Sequence, residues 1–261
     1  MKKLILPTLA IAAALISANS YSQTKAFAIT SQSKGSFNWN AVREIDLTTG
    51  EVLNTYFDQS ANKAVELVNT SNARLATTAD TRTLPMAEGV AAAAFDAKNN
   101  RLYYTTMRGT ELRFFDLNNA AGRIVYNQKD QLLPTANRYD EGNVITRMAF
   151  ASDGNGYALT NDGNHLIRFS ADNNATVADL GSLVDGDPNG AVSVHSQCTS
   201  WGGDMVGDAY GNLYLITYRN HIFRINPNTK VADYVGAVKG LPAEFTSNGM
   251  AVSGDGEVVL S

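Results

Sequence analysis

The segment NHLIRFSADNNATVADLG begins at Asn164, and a close copy, NHIFRINPNTKVADYVG, begins 56 residues later at Asn220. Each reads as an alternating strand, a polar turn and a second strand. The VAD at Val177 recurs at Val231, 54 residues on, so the earlier turn is longer by about two residues. ELRFFDLNNAAGRIVYN from Glu111 and AVREIDLTTGEVLNTY from Ala41 fit the same mould. Ahead of each later hairpin stands a second pattern: AAAAFDAKNNRLYYTT, RMAFASDGNGYALT and DMVGDAYGNLYLIT. It consists of a strand of small or apolar residues, a Gly/Asn/Asp turn and an aromatic-rich strand. GMAVSGDGEVVLS starts the pattern once more before Ser261. One unit is therefore four strands, with a period of about 55 residues.

A four-stranded unit in tandem is a propeller blade. A sandwich needs no such period, and a β-helix needs a much shorter one. The expected fold is all-β, a β-propeller of four-stranded blades. Complete blades fall at about 90–130, 145–186 and 201–240, with three strands near 26–58 and two at the C-terminal end. That makes about four to five blades. The first strand of each unit favours Ala, Gly and Met, as the crowded innermost position requires. AFAIT and EVVLS both read as second strands, one at each end of the propeller region. The expectation is an open arc belonging to a longer ring, with a closed four-bladed ring as the alternative, because an open ring leaves unpaired strand edges.

The units SDGNGYALT, DAYGNLYLIT and SGDGEVVLS carry a resemblance to secreted bacterial β-propellers of the WD40-like, NHL-like and SMP-30-like group. The resemblance spans nearly the whole chain after its N-terminal segment. It implies a fold rather than a function, since propellers host lyases, lactonases, oxidoreductases and binding modules alike.

Residues 1–22 read as a signal peptide: Lys2 and Lys3, then LILPTLAIAAALI, then small residues up to Gln23. The apolar run is too short for a comfortable membrane span. Residues 23–261 form the propeller domain, and the protein is expected to be exported to the periplasm, the cell surface or beyond. Net charge is -4 with 44% hydrophobic residues, a balance that suits a packed core and argues against nucleic acid as a partner. Cys198 is the single cysteine, which leaves no internal disulfide and reads as a passive thiol. His195, three residues before it, makes no recognised catalytic pair with it. No HExxH, GxSxG or phosphate-binding glycine motif occurs.

Ligands of propellers gather at a channel mouth, near the starts of innermost strands. Here those positions include Glu88, Arg147, Trp201, Asp204 and Asn248. The SNGM around Asn248 resembles the SMP-30-like pattern in which such an Asn ligates calcium. That resemblance implies Asp204 and Asn248 as metal ligands of a lactonase or hydrolase. In this chain the Asp is shifted by one residue and precedes the Asn, the reverse of the family order. His165 and His221 occupy equivalent repeat positions, which points to a structural role.

DGDPNG, with Asp185, Asp187, Asn189 and Gly190, begins like a calcium loop, but its twelfth position is Ser196 instead of Glu. The turn reading and weak calcium binding both stand. No cofactor is called for, with calcium the one ion the pattern admits. The connections at 60–89, 131–143 and 187–200 would build a recognition surface on one face. A non-catalytic propeller that binds a protein, a glycan or a small polar ligand is the leading reading.

Overall fold

The computed structural model describes residues 25–261 except 34, 35, 37, 62–65, 74, 76–84, 87, 120–123, 134–136, 138, 243, 254 and 255. The expected signal peptide, 1–22, lies outside the described residues. Nineteen strands occur among them, in five sheets. The first sheet holds β1 (Lys25–Thr30), β2 (Ala41–Asp46) and β3 (Val52–Asp58), in that order. The second holds β5 (Val90–Asp96), β6 (Arg101–Thr106), β7 (Leu112–Asp116) and β8 (Ile124–Lys129) as an antiparallel meander. Outside β8 lies β4 (Glu66–Asn69), parallel to it.

The third sheet is β9 (Ile145–Phe150), β10 (Gly156–Thr160), β11 (Leu166–Phe169) and β12 (Val177–Asp179). The fourth repeats the meander with β14 (Asp204–Gly207), β15 (Leu213–Ile216), β16 (His221–Ile225) and β17 (Val231–Ala237). The short β13 (Val184–Asp185) runs parallel along β17. The last sheet pairs β18 (Met250–Val252) with β19 (Val258–Leu260).

The innermost strands touch in sequence around the axis: β5 against β9, β9 against β14, β14 against β18. The sheets pack face to face through three apolar cores. Phe57 and Val42 meet Tyr104 and Phe115 between the first and second sheets. Tyr103 and Phe114 meet Met148 and Phe169 between the second and third. Tyr157 and Leu166 meet Leu213 and Phe223 between the third and fourth. The chain is a β-propeller, as its period demands. Among the described residues no hydrogen-bonded ladder joins the first sheet to the last.

Two boundaries differ from the sequence reading. The blade placed at 145–186 ends its own sheet at Asp179, because Val184–Asp185 pairs with Val231 and Ala232 of the following sheet. Within the segment 60–89, Glu66–Asn69 is likewise a strand on the second sheet and not a free loop. Both additions have one cause. An outermost strand presents unpaired backbone groups, and the incoming chain covers them before it turns inward to the next innermost strand. No helix of the described residues is long and apolar enough to cross a membrane.

Candidate functional site

Four innermost-strand residues hold matching places in their own sheets, each opposite a residue of the second strand. Ala92 faces Thr105, Arg147 faces Leu159, Asp204 faces Ile216 and Met250 faces Leu260. The two charged members of this set both reach toward the next blade. Arg147 is fully buried. Its Nε donates to the Gly202 carbonyl at 2.9 Å, and one terminal nitrogen donates to Thr160 and Asn161 at 2.7 and 3.0 Å. The other donates to Ser200 at 2.5 Å. Burial lowers its pKa to about 9, while Asp162 and Asp204 pull it back up. The side chain sequence reasoning offered to a ligand is thus a strut. It ties the third sheet to the chain that enters the fourth, and four of its five N–H groups are spent on backbone carbonyls.

Asp204 makes one such link to the next blade, through the Met250 N–H. One carboxylate oxygen accepts from the Met205 N–H at 2.8 Å and the other from the Met250 N–H at 2.9 Å. Desolvation pushes its pKa up to about 7, against the two backbone hydrogen bonds and Arg147, which lower it. The folded value stands above the unfolded 3.8, so the folded state holds an extra proton between about pH 4 and pH 7. Stability from this group is present below that window and is lost as pH rises through it. Urea unfolding at intervals from pH 4 to 8 should therefore show the wild type losing stability, relative to Asp204→Asn, up to about pH 7 and no further. Parallel curves for the two proteins would discard the assignment.

The rest of the mouth is joined in the same way. Asn161 accepts from Gly202 N–H at 2.7 Å, Thr217 donates to the Thr199 carbonyl at 2.9 Å, and Asn220 donates to the Phe245 carbonyl at 3.0 Å. Trp201 and Glu88 are half-buried, and the Trp201 indole N–H is buried without a hydrogen-bond partner. Asn248 is exposed; its backbone N–H donates to Ser261 at 2.8 Å and its amide to Thr246 at 3.4 Å. No hydrogen bond joins Asp204 to Asn248 among the described residues.

In DGDPNG the Asn189 side chain is buried on the fold, while Asp185 and Asp187 are exposed. Asn189 donates to Asp185 at 3.1 Å and to the Ala232 carbonyl at 2.9 Å, and accepts from Tyr234 N–H at 2.6 Å. The same Asp185 oxygen takes the Val194 N–H at 2.8 Å. This knot seats the incoming segment against β17, with Asp187 in the 3-10 turn Asp187–Asn189. Among the described residues no three His, Cys, Asp or Glu side chains are grouped to hold a metal ion. His165 pairs with Asp179 at 2.7 Å, both ring nitrogens of His195 face carbonyls, His221 packs edge-on to Tyr234, and Cys198 is exposed.

An open cleft of about 330 Å³ lies beside this mouth, between the β6–β7 turn and the connection from β8 to β9. Arg108, Glu111, Asp130, Asn143 and Tyr139 line it, over Leu133. Tyr139 is 80% exposed and Leu133 only 2%. The connection 131–143 was expected to be a recognition surface, but none of these residues stood among the site candidates. The available signal was Tyr139, a bulky aromatic in the polar RYDEGN, outside any alternating run.

No family model matches the chain, and no curated protein matches it. Among solved structures it is similar to virginiamycin B lyase from Staphylococcus aureus, at 12% identity and a TM-score of 0.43, over 85% of this chain and 56% of that one. It is similar to a chain of the nidogen/laminin complex, at 11% identity and a TM-score of 0.46, over 87% and 65%. It is also similar to Myxococcus xanthus glutaminyl cyclase, at 14% identity and a TM-score of 0.47, over 85% and 76%. The chain thus spans less than two thirds of the length of the first two.

Proposed function

We propose that this propeller is an exported, non-catalytic binding module whose ligand meets the face that carries the inter-blade connections. One contrast supports the reading. Two charged side chains at the channel mouth help to hold blades together, Arg147 on four carbonyls and Asp204 on the Met250 N–H of the next blade. The neighbouring cleft on the same face is open and lined by charged and amide groups and the exposed Tyr139, with Asp130 and Asn143 also bonded to Asn127 and Asp140. A rigid scaffold with a polar, open recess suits recognition. Export rests on the Lys2–Lys3 start and the apolar run that follows.

The test pairs binding with turnover on the purified protein. A ligand at about 100 times its Kd stabilises the folded state by about 2.7 kcal/mol, which moves the melting temperature by several degrees. A library of saccharides, peptides and small polar molecules should contain such ligands. The same preparation should be inert toward lactone and ester substrates. Turnover that disappears in Asp204→Ala would replace the binding reading with a hydrolytic one.

A further inference from the structure

We propose that Asn248 is a site of self-modification, where the side-chain amide is displaced by the Gly249 backbone nitrogen and the residue is rebuilt as aspartate or isoaspartate. The chemistry needs water and no enzyme. An Asn followed by Gly permits it best, because the second residue has no Cβ to hinder approach to its nitrogen. The chain has three such pairs, Asn155–Gly156, Asn189–Gly190 and Asn248–Gly249. Sequence ranks them equally, and the fold separates them.

Asn189 is buried. Its amide nitrogen donates to Asp185 at 3.1 Å and to the Ala232 carbonyl at 2.9 Å, and its oxygen accepts the Tyr234 N–H at 2.6 Å. That side chain cannot turn onto the Gly190 nitrogen without breaking all three bonds. Asn155 is held differently. Its amide donates to Asp153 at 2.9 Å, and the Gly156 that follows is buried in β10, with β9 on one side and β11 on the other. Freeing the Gly156 backbone means opening a four-stranded sheet.

Asn248 has neither restraint. Its side chain is exposed, and its amide makes a single long hydrogen bond, 3.4 Å to the Thr246 hydroxyl. The Gly249 N–H does donate to the Ser261 carbonyl at 3.1 Å, but it shares that oxygen with the Asn248 N–H at 2.8 Å. Both bonds sit at the end of the smallest sheet, where β18 and β19 have three residues each and none of the six is buried. A strand end of that kind opens at low cost.

The step balances without an oxidant or reductant. Hydroxide takes the proton of the Gly249 amide, and the nitrogen attacks Cγ of Asn248. The new N–Cγ bond closes a five-membered imide, the Cγ–Nδ2 bond breaks, and Nδ2 takes a proton from water and leaves as ammonia. Water then opens the ring. Attack at Cγ restores the normal link as aspartate, and attack at the main-chain carbonyl leaves the link through Cγ as isoaspartate. Isoaspartate lengthens the main chain by one methylene. It does so where the Asn248 and Gly249 N–H groups meet the Ser261 oxygen and the Ser261 N–H returns to Gly249 at 3.0 Å. The next N–H along, of Met250, is the one that Asp204 accepts. The converted protein should therefore lose the closing end of the last sheet and loosen its link to the fourth.

The experiment uses the whole chain, folded and in urea, incubated at mildly acidic and mildly alkaline pH. Peptide mapping by mass spectrometry follows each Asn–Gly pair, and an isoaspartate methyltransferase labels the rearranged product. In the folded protein Asn248 should convert at least about tenfold faster than Asn155 and Asn189, since opening free energies run from almost nothing at a strand end to the global value in a core. The rate should rise with pH, and in urea the three pairs should approach one another. Asn248→Gln, which would need a six-membered ring, should stay intact at that position and melt like the wild type. Hydrogen exchange at the Met250 and Ser261 amides should be faster in the isoaspartate form than in Asn248→Gln. Asn155 or Asn189 converting as fast as Asn248 in the folded protein, or Asn248 remaining intact there while it converts in urea, would overturn the proposal.

Discussion

Arg147→Ala should destabilise the protein by about 3–5 kcal/mol, as removal of one partner from a buried charged network does. The side chain is fully buried between the third and fourth sheets, and four backbone carbonyls, of Thr160, Asn161, Ser200 and Gly202, take its N–H groups. Alanine leaves those acceptors facing a cavity. Water can enter it only by loosening the chain that leads into β14. Arg147→Lys tests whether geometry or charge matters. An ammonium retains the charge but cannot reach carbonyls of two blades in a planar fork, so it should recover only part of the loss. Urea unfolding at pH 7 measures both. A loss below about 1 kcal/mol for alanine, the range of an ordinary surface change, would show that Arg147 is not a strut. Lysine matching the wild type would show that charge alone suffices.

The propeller was legible because its strands repeat. The near-identity of the segments at Asn164 and Asn220 follows from equivalent hairpins, each with a Thr, Thr160 or Thr217, whose hydroxyl takes the backbone N–H of the following histidine. The small residues of the first strands were legible too, since Ala92 and Ala94 are buried where blades converge. The outer strands β4 and β13 were not. A two- or four-residue parallel strand carries no alternation of its own, and its partner lies 47 to 58 residues away in the chain.

The charged residues of the inner ring illustrate a different limit. Sequence position put Arg147 and Asp204 near the channel mouth, and each holds a matching place on its own innermost strand. Whether such a side chain faces a ligand or a carbonyl depends on the backbone of the next blade, which no local pattern encodes. Gly202 and Gly203, at φ of 66° and 84°, bring that backbone within reach of Arg147. The cleft at Tyr139 escaped for a related reason. It is made by two connections that meet through the Leu132–Thr110 hydrogen bond, and neither is a motif alone.

Gly207→Ala is the second large effect expected, and it tests how closely the blades converge. Gly207 ends β14, and a Cβ built there falls far inside contact distance of the Phe150 carbonyl oxygen and 3.0 Å from the Ala151 Cα. Both obstacles are backbone of the neighbouring blade, so no side chain can swing aside. The only relief is to move β14 away from β9, which loosens the core of Tyr157, Leu166, Leu213 and Phe223 behind them. Overpacking of this kind costs about 3 kcal/mol. The proper comparison is Gly154→Ala. Gly154 has φ of 79° in a turn with nothing within 4 Å of its would-be Cβ, so that variant carries only the backbone strain of a left-handed residue, about 1 kcal/mol. Thermal melts of the two variants separate contact from conformation. Gly207→Ala should fall below Gly154→Ala by several degrees, since about 2 kcal/mol of difference moves a domain of this size that far. Equal melting temperatures would mean that β9 and β14 stand far enough apart to admit a methyl group, and the tight inner ring inferred from the Ala, Gly and Met of the first strands would have to be given up.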